Sequence, residues 1–459
     1  MKIKNVLFNA IILILTSNAF SYDLETLKAA MSQNNPELLT LQEEYKRSEL
    51  DVKDAYGSLG PTVDLQLSGT YMVNPPIDAV YVNVDDIVNS VQWPSVYQPA
   101  STGQYVKVYD GMENTLYGIQ FSLIQPLFTW GKLANAIALY KQLSQIKLTQ
   151  LELKKQQLET ELETRLISLK YLQRINDILD EEKTYIDRLI EVSEIAEKAG
   201  MLLHQEVVDA RIQGKELELA QVDVKEQITN QLLELQRSTG IEDLTLENLD
   251  FEIDEEQIQS IIHQDKNKVE EEILNGKQLS IKLVTQFKEM NGTAEKIAKG
   301  AVYWKPDVAL KLTGGYGGPR FPLFEPNWNR KDDYSLNISI GIKTTLWDGG
   351  KKLRDVSRRI SETKTADIKQ IDVRSTIRKT LNEQWNQAEV CLIKIEYQLL
   401  KIEASDSKIK QKEMVFETGY GSESDVLSAK IERCNQMIEK EKQALACATA
   451  CLTINYLCK

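Results

Sequence analysis

The stretch AGMLLHQEVVDARI, Ala199–Ile212, interrupts a long helical pattern with a glycine and restarts it beside an acid. A second stretch, TGYGSESDVLSAKI, Thr418–Ile431, does the same with matching residue types. Gly200, Glu206, Val207, Ala210 and Arg211 correspond to Gly419, Asp425, Val426, Ala429 and Lys430, each displaced by 219 positions. Glycine at such a point lets one helix stop and the chain reverse, because it takes left-handed backbone without a steric penalty. The sequence therefore specifies the same helical hairpin twice.

The correspondence extends outward from the two turns. PLFTWGKL (Pro126–Leu133) aligns with TLWDGGKK (Thr345–Lys352) at the same offset of 219, and Ile119, Phe121 and Leu123 match Ile338, Ile340 and Ile342. Further upstream, PTVDLQLSGTY (Pro61–Tyr71) matches PDVALKLTGGY (Pro306–Tyr316) at an offset of 245. The extra 26 residues of the first copy fall in Met72–Leu116, which reads as a loop, as does Gly317–Ser335 in the second. A repeat this long is a duplicated architecture and not a solenoid. The first repeat spans 22–240, with strands at about 62–71 and 117–127, a long helix 132–199 and a helix 203–239. An acidic inter-repeat linker or equatorial segment covers 241–276. The second repeat is 277–459, with strands at about 307–316 and 336–346, a long helix 351–418 and a helix 422–458.

Neither Pro nor Gly occurs in Lys132–Ala199 or Lys351–Thr418, so each predicts an uninterrupted helix about 100 Å long. Leu158, Leu162, Leu166, Leu169, Leu172, Ile175 and Leu179 keep one face of the first. Shorter helices are predicted at about Leu24–Tyr56 and Leu203–Thr239. In the latter, Val207, Ala210, Gly214, Leu217, Val224, Ile228 and Leu235 form a heptad-like seam, interrupted by Gln221 and Gln231. Stripes this narrow and long specify a coiled-coil-like assembly instead of an enzyme core.

Val63, Leu65 and Leu67 alternate with Asp64, Gln66 and Ser68, and Val308, Leu310 and Leu312 alternate likewise. Strands of about ten alternating residues suit a tilted membrane strand. Phe128, Trp130, Trp304 and Trp347 gather at one set of strand ends, with Tyr71 and Tyr316 at the other, as in an interfacial belt. A soluble two-sheet sandwich is the alternative. In lipid, four strands leave open edges, so several protomers must share a barrel; three would give twelve strands.

The N-terminus reads as an export signal, 1–21: Lys2 and Lys4 precede the apolar run Val6–Leu15, and Ala19 and Ser21 suit a cut before Tyr22. An uncleaved anchor is the alternative. The net charge of −13 disfavours a nucleic-acid partner. All five cysteines fall at or after Cys391, and Ala444, Cys447, Cys451, Ile454 and Cys458 follow helical spacing, which predicts packing and not a disulfide framework or a metal site. No phosphate loop or nucleophile elbow is present, and the only histidines are His204 and His263. No catalytic residue or cofactor is expected.

NNPELLTLQEE (Asn34–Glu44), the paired junctions QPLFTWGK (Gln125–Lys132) and TTLWDGGK (Thr344–Lys351), and GYGSESDVLSAK (Gly419–Lys430) together resemble the TolC family of outer-membrane efflux proteins. The resemblance spans the chain after the signal. It implies a homotrimer with a shared 12-stranded β-barrel in outer-membrane lipid and an α-helical barrel crossing the periplasm. Its function would be an exit duct for drugs, metals or proteins. It also implies a periplasmic adaptor, an inner-membrane transporter, and hairpin tips at Gly200, Met201 and Leu202 and at Gly419, Tyr420, Gly421 and Ser422 that meet the adaptor. Entrance acids would be Glu206, Asp209 and Asp425; helix-start acids complementing the dipole are the competing reading. The chain departs from the family in carrying Ser428 where many relatives have Asp, and Gly421 in place of a basic residue. A coiled-coil spacer or adhesin is the rival from another class; it accounts for the helices but not for the paired strands.

Overall fold

The computed structural model describes residues 21–90, 101–302, 305–319, 321 and 334–459. In chain order these form α1 (Leu24–Asn34), α2 (Pro36–Gly57), β1 (Thr62–Tyr71), β2 (Val80–Asn83), α3 (Val84–Ser90), β3 (Tyr105–Tyr109) and β4 (Thr115–Phe128). There follow α4 (Lys132–Lys198), α5 (His204–Thr239), α6 (Glu255–Gln259), α7 (Lys266–Glu272) and α8 (Leu279–Val302). The last elements are β5 (Asp307–Gly318), β6 (Tyr334–Lys343), α9 (Lys351–Glu417) and α10 (Glu423–Cys458). The fold is mainly helical. Adding 219 to both ends of α4 and of α5 gives both ends of α9 and of α10.

Two compact units are present, one of residues up to Glu49, Gln142–Asn291 and Ser361–Lys459, the other of Leu50–Lys141 and Gly292–Ile360. The first is helical, and its cores follow the apolar stripes. Leu158, Leu162, Leu166 and Leu169 pack with Leu27, Met31, Leu38 and Leu235. Further along α4, Leu172, Ile175, Leu179 and Ile186 meet Ala210, Leu217 and Val224 of α5 and Leu427, Ile431 and Ile438 of α10. Gly214 lets α5 approach α4 closely, since a Cβ there would lie 3.1 Å from Ile190 Cδ1. The buried Gln221 donates to Asp180 at 2.7 Å, so this break in the seam is satisfied.

One helix boundary and one cysteine depart from expectation. The helix expected over Leu24–Tyr56 is two helices, because Pro36 lacks the N–H that would continue the first. Buried Asn35 caps the second, accepting from the N–H groups of Glu37 (3.0 Å) and Leu38 (3.3 Å), with Pro36 in the first helical position that suits it. The acidic segment 241–276 contributes buried Leu244, Leu249, Ile261, Val269 and Ile273 to the cores. Cys391, Cys447 and Cys451 pack around Leu381 and Trp385, and Cys434 lies in the α4/α5/α10 core. Cys458, expected on the same seam, is exposed.

The second unit is built on an antiparallel sheet of order β1-β4-β5-β6. The connector Met72–Leu116, read as loop, carries a separate antiparallel pair, β2 with β3, and the short α3. Asp85 organises that connector: its carboxylate accepts from Ser101 Oγ, Gly103 N and Thr102 N, each at 2.7 Å. These bonds hold its pKa down at about 2.

Candidate functional site

Sheet register decides what the strands can face. Leu65 is opposite Phe121, Leu123 opposite Leu312, and Leu312 opposite Ile338, while Leu310 is opposite Ile340. Partners in register share a face, so Val63, Leu65, Leu67, Ile119, Leu123, Leu310, Leu312, Ile338 and Ile340 make one apolar surface. On the other face Asp64 is opposite Ser122, Ser122 opposite Thr313, and Thr313 opposite Asn337. The apolar face is most open on its outer strands: Leu65 and Leu67 are each 66% exposed and Ile338 is 69% exposed. Among the described residues β1 and β6 each pair on one side only, leaving two backbone edges free.

Of the belt aromatics, Phe128 and Trp130 meet edge to face with centroids 4.8 Å apart. Trp130 Nε1 donates to the Pro306 carbonyl at 2.9 Å, and Trp347 is 84% exposed. Trp304 lies outside the described residues. At the opposite strand ends Tyr71 is exposed, whereas Tyr316 is buried against Tyr334, with ring centroids 5.3 Å apart.

The two hairpin turns share one construction. Gly200 has φ +72° and Gly419 φ +76°. Met201 N donates to Ala196 O and Gly200 N to Glu197 O; Tyr420 N donates to Val415 O and Gly419 N to Phe416 O. Each pair of bonds is a Schellman closure, which satisfies the last carbonyls of the long helix. Met201, Leu203 and Tyr420 stand out into solvent, whereas Leu202 is half-buried. Gly421 N also reaches Val415 O at 3.1 Å, and Ser422 caps α10, its Oγ accepting from Asp425 N at 3.2 Å.

The three entrance acids differ in their surroundings. Glu206 accepts from the Leu203 N–H at 3.3 Å, a helix-capping bond. Asp209 accepts from Gln205 Nε2 at 2.9 Å. Asp425 is exposed and lies 3.6 Å from the Lys412 ammonium. No hydrogen bond or ion pair joins either first-hairpin acid to Asp425 among the described residues. His204 starts α5 with its ring Nδ1 2.6 Å from Glu197.

Sequence reasoning missed the strongest contact beside the turns. Arg188 of α4 grips Glu423, the first residue of α10, through Nε at 2.8 Å and Nη2 at 3.1 Å, while Nη1 holds Glu191 at 2.7 Å. A forked guanidinium–carboxylate pair fixes orientation as well as distance. It ties the first hairpin to the second.

The family model of outer membrane efflux proteins matches residues 29–241. Over that stretch the chain resembles outer membrane efflux proteins. Its fold is shared with the outer membrane protein VceC of Vibrio cholerae (TM-score 0.71, 14% identity, 95% of each chain). The Campylobacter jejuni CmeC outer membrane channel is similarly related (TM-score 0.69, 13% identity, 95% of this chain and 85% of that one). So is the Neisseria gonorrhoeae MtrE outer membrane channel (TM-score 0.66, 10% identity, 95% and 88%). Comparison with curated protein sequences gave no match. The match over 29–241 is what supports an outer-membrane efflux channel and an outer-membrane location.

Proposed function

We propose that this chain is an efflux-family protein and one protomer of a homotrimeric exit duct serving a tripartite efflux pump or a type I secretion system. The observation that carries the reading is the four-stranded sheet with one exposed apolar face and two free edges. Unpaired backbone edges are not tolerated in hydrocarbon, and pairing β6 of one copy with β1 of the next removes both. Three copies would supply twelve strands, with the apolar faces toward lipid and the polar faces toward the lumen. A coiled-coil spacer or adhesin has no use for such a sheet.

In this reading the two turns at Gly200 and Gly419 are periplasmic tips. Exposed Met201 and Tyr420 offer apolar contact to an adaptor protein, which would join the duct to an inner-membrane transporter. Transport would be passive conduction through the trimer. Exposed Asp425, although beside Lys412, and exposed Asp209 are the acids left to favour cations at the mouth, because Glu206 already serves as a helix cap. Single-channel recording of the purified protein in planar bilayers tests this. Steady cation-preferring openings, with less preference in Asp425→Ala, are the expected result. A protein that fractionates as soluble and conducts nothing would overturn the duct and favour the spacer.

A further inference from the structure

Leu179, Glu182 and Ile186 succeed one another at helical spacing on the buried face of α4. Glu182 is only 5% exposed, yet its carboxylate makes no hydrogen bond or ion pair among the described residues. It lines a half-open cavity of about 590 Å³ between α4, α5 and α10. We propose that this cavity is a binding site for a hydrophobic organic cation, its ammonium group against the Glu182 carboxylate and its apolar body against Leu179, Ile186, Leu217 and Ile431.

The chemistry follows from what the cavity supplies and lacks. A buried carboxylate without a partner is costly when charged, and burial pushes Glu182 up to about 7. A cation entering beside it would remove that penalty. The site supplies one buried unpartnered carboxylate, and no group of three metal-binding side chains occurs among the described residues, so a bare metal ion would find too few ligands. Aliphatic and polar residues share the walls about equally, as an amphiphilic cation requires, and the volume falls in the range of sites for drug-sized molecules, roughly 300–1,000 Å³.

The other titratable groups around the cavity are Glu216 of α5 and Glu432 and Lys442 of α10. Glu432 is already paired with Lys408 at 2.6 Å. Glu181 on α4 and the buried Cys434 thiol of α10 complete the surroundings. Acids thus outnumber bases at the site, which favours a cation over an anion. The site is built within one chain, and the inference stands apart from the duct reading.

The test uses the purified full-length protein in a non-ionic detergent at pH 8, where Glu182 is mostly ionised. 4-Phenylbutylamine is titrated by calorimetry, with 4-phenylbutanol as its neutral counterpart. The expected result is one saturable site per chain that prefers the amine. Glu182→Gln should weaken amine binding by about tenfold or more and abolish the preference. Glu216→Gln, at a solvated carboxylate, should change it by about threefold or less. Absence of saturable binding, equal affinity for amine and alcohol in the unaltered protein, or an unchanged amine affinity in a folded Glu182→Gln variant would each overturn the proposal. Conductance is a separate readout, so failure of the duct would leave this result intact.

Discussion

Trp130 and Gly349 stand 219 positions apart and share one unusual backbone state, left-handed with φ 52° and 66°. Each is followed by a left-handed glycine, Gly131 or Gly350, and then by a 67-residue helix. The second copy meets this geometry with glycine. The first meets it with a tryptophan anchored through Nε1 to Pro306 and through its ring to Phe128. Asp348 caps the second helix, accepting from the N–H groups of Gly350, Lys351 and Lys352. The duplicated junction is therefore kept by different interactions in the two copies.

Gly349→Ala should lower unfolding stability by about 1–2 kcal/mol, the usual cost of left-handed backbone for a residue with Cβ. A Cβ there meets nothing within 4 Å, so the loss would be conformational and not steric. Gly341 in β6 has equally open surroundings and ordinary strand backbone. Chemical denaturation should show Gly341→Ala as nearly neutral beside Gly349→Ala, and equal losses would refute the account.

The long helices were legible because a stretch of 68 residues without Pro or Gly permits little else, and the repeat fixed their ends. The Asn35–Pro36 break was present as a cap followed by proline, but the apolar period continued across it and concealed the boundary. β2 and β3 are four and five residues long, their pairing slips between Val80 and Tyr81, and no repeat partner marks them. At the turns the glycines were readable from local chemistry. Arg188 and Glu423 were not, because they lie 235 positions apart and only the packing of four helices brings them together. Glu182 carried a usable signal: it occupies the 4, 3, 4 stride of Ile175, Leu179, Glu182 and Ile186, where an acid has no solvent.

Arg188 and Glu423 should act as a pair on the hairpins. If the tips surround the mouth of a duct, Arg188→Ala and Glu423→Gln should each enlarge single-channel conductance. The double variant should gain no more than the stronger single one. Both partners face solvent to some degree, so the difference from the unaltered protein should shrink in 1 M salt, where the Debye length is about 3 Å. Fully additive effects would show that the two residues act separately.

Thiol labelling should separate one cysteine from four. Cys391, Cys434, Cys447 and Cys451 are buried. Burial holds the Cys391 thiol up and that of Cys434 at about 12, and the Cys451 contact with burial does the same for Cys447. A raised thiol offers little thiolate to an electrophile. In the native protein at pH 8, iodoacetamide should modify Cys458 alone, and slowly, because partial burial raises that thiol as well. Mass spectrometry after brief labelling reads the sites, and the other four should react only on denaturation.

Glu182 also sets a pH dependence whose sign is opposite to that of a salt-bridged acid. Its folded pKa, about 7, lies above the ordinary value of 4.5. Between these values the unfolded chain loses its proton first, so stability falls as pH rises through this window and then levels off. The contribution is intact below about pH 4.5 and lost above about pH 7. Glu182→Gln keeps the shape and hydrogen-bonding capacity of the neutral acid without the charge. It should therefore leave stability nearly unchanged at pH 4 and raise it by about 1–2 kcal/mol at pH 8, a figure reduced from the full shift for solvent reaching the cavity. Denaturant unfolding at the two pH values measures the difference. A variant less stable than the parent at pH 8 would mean that the carboxylate has an internal partner, and the cavity would then offer no free charge to a cation.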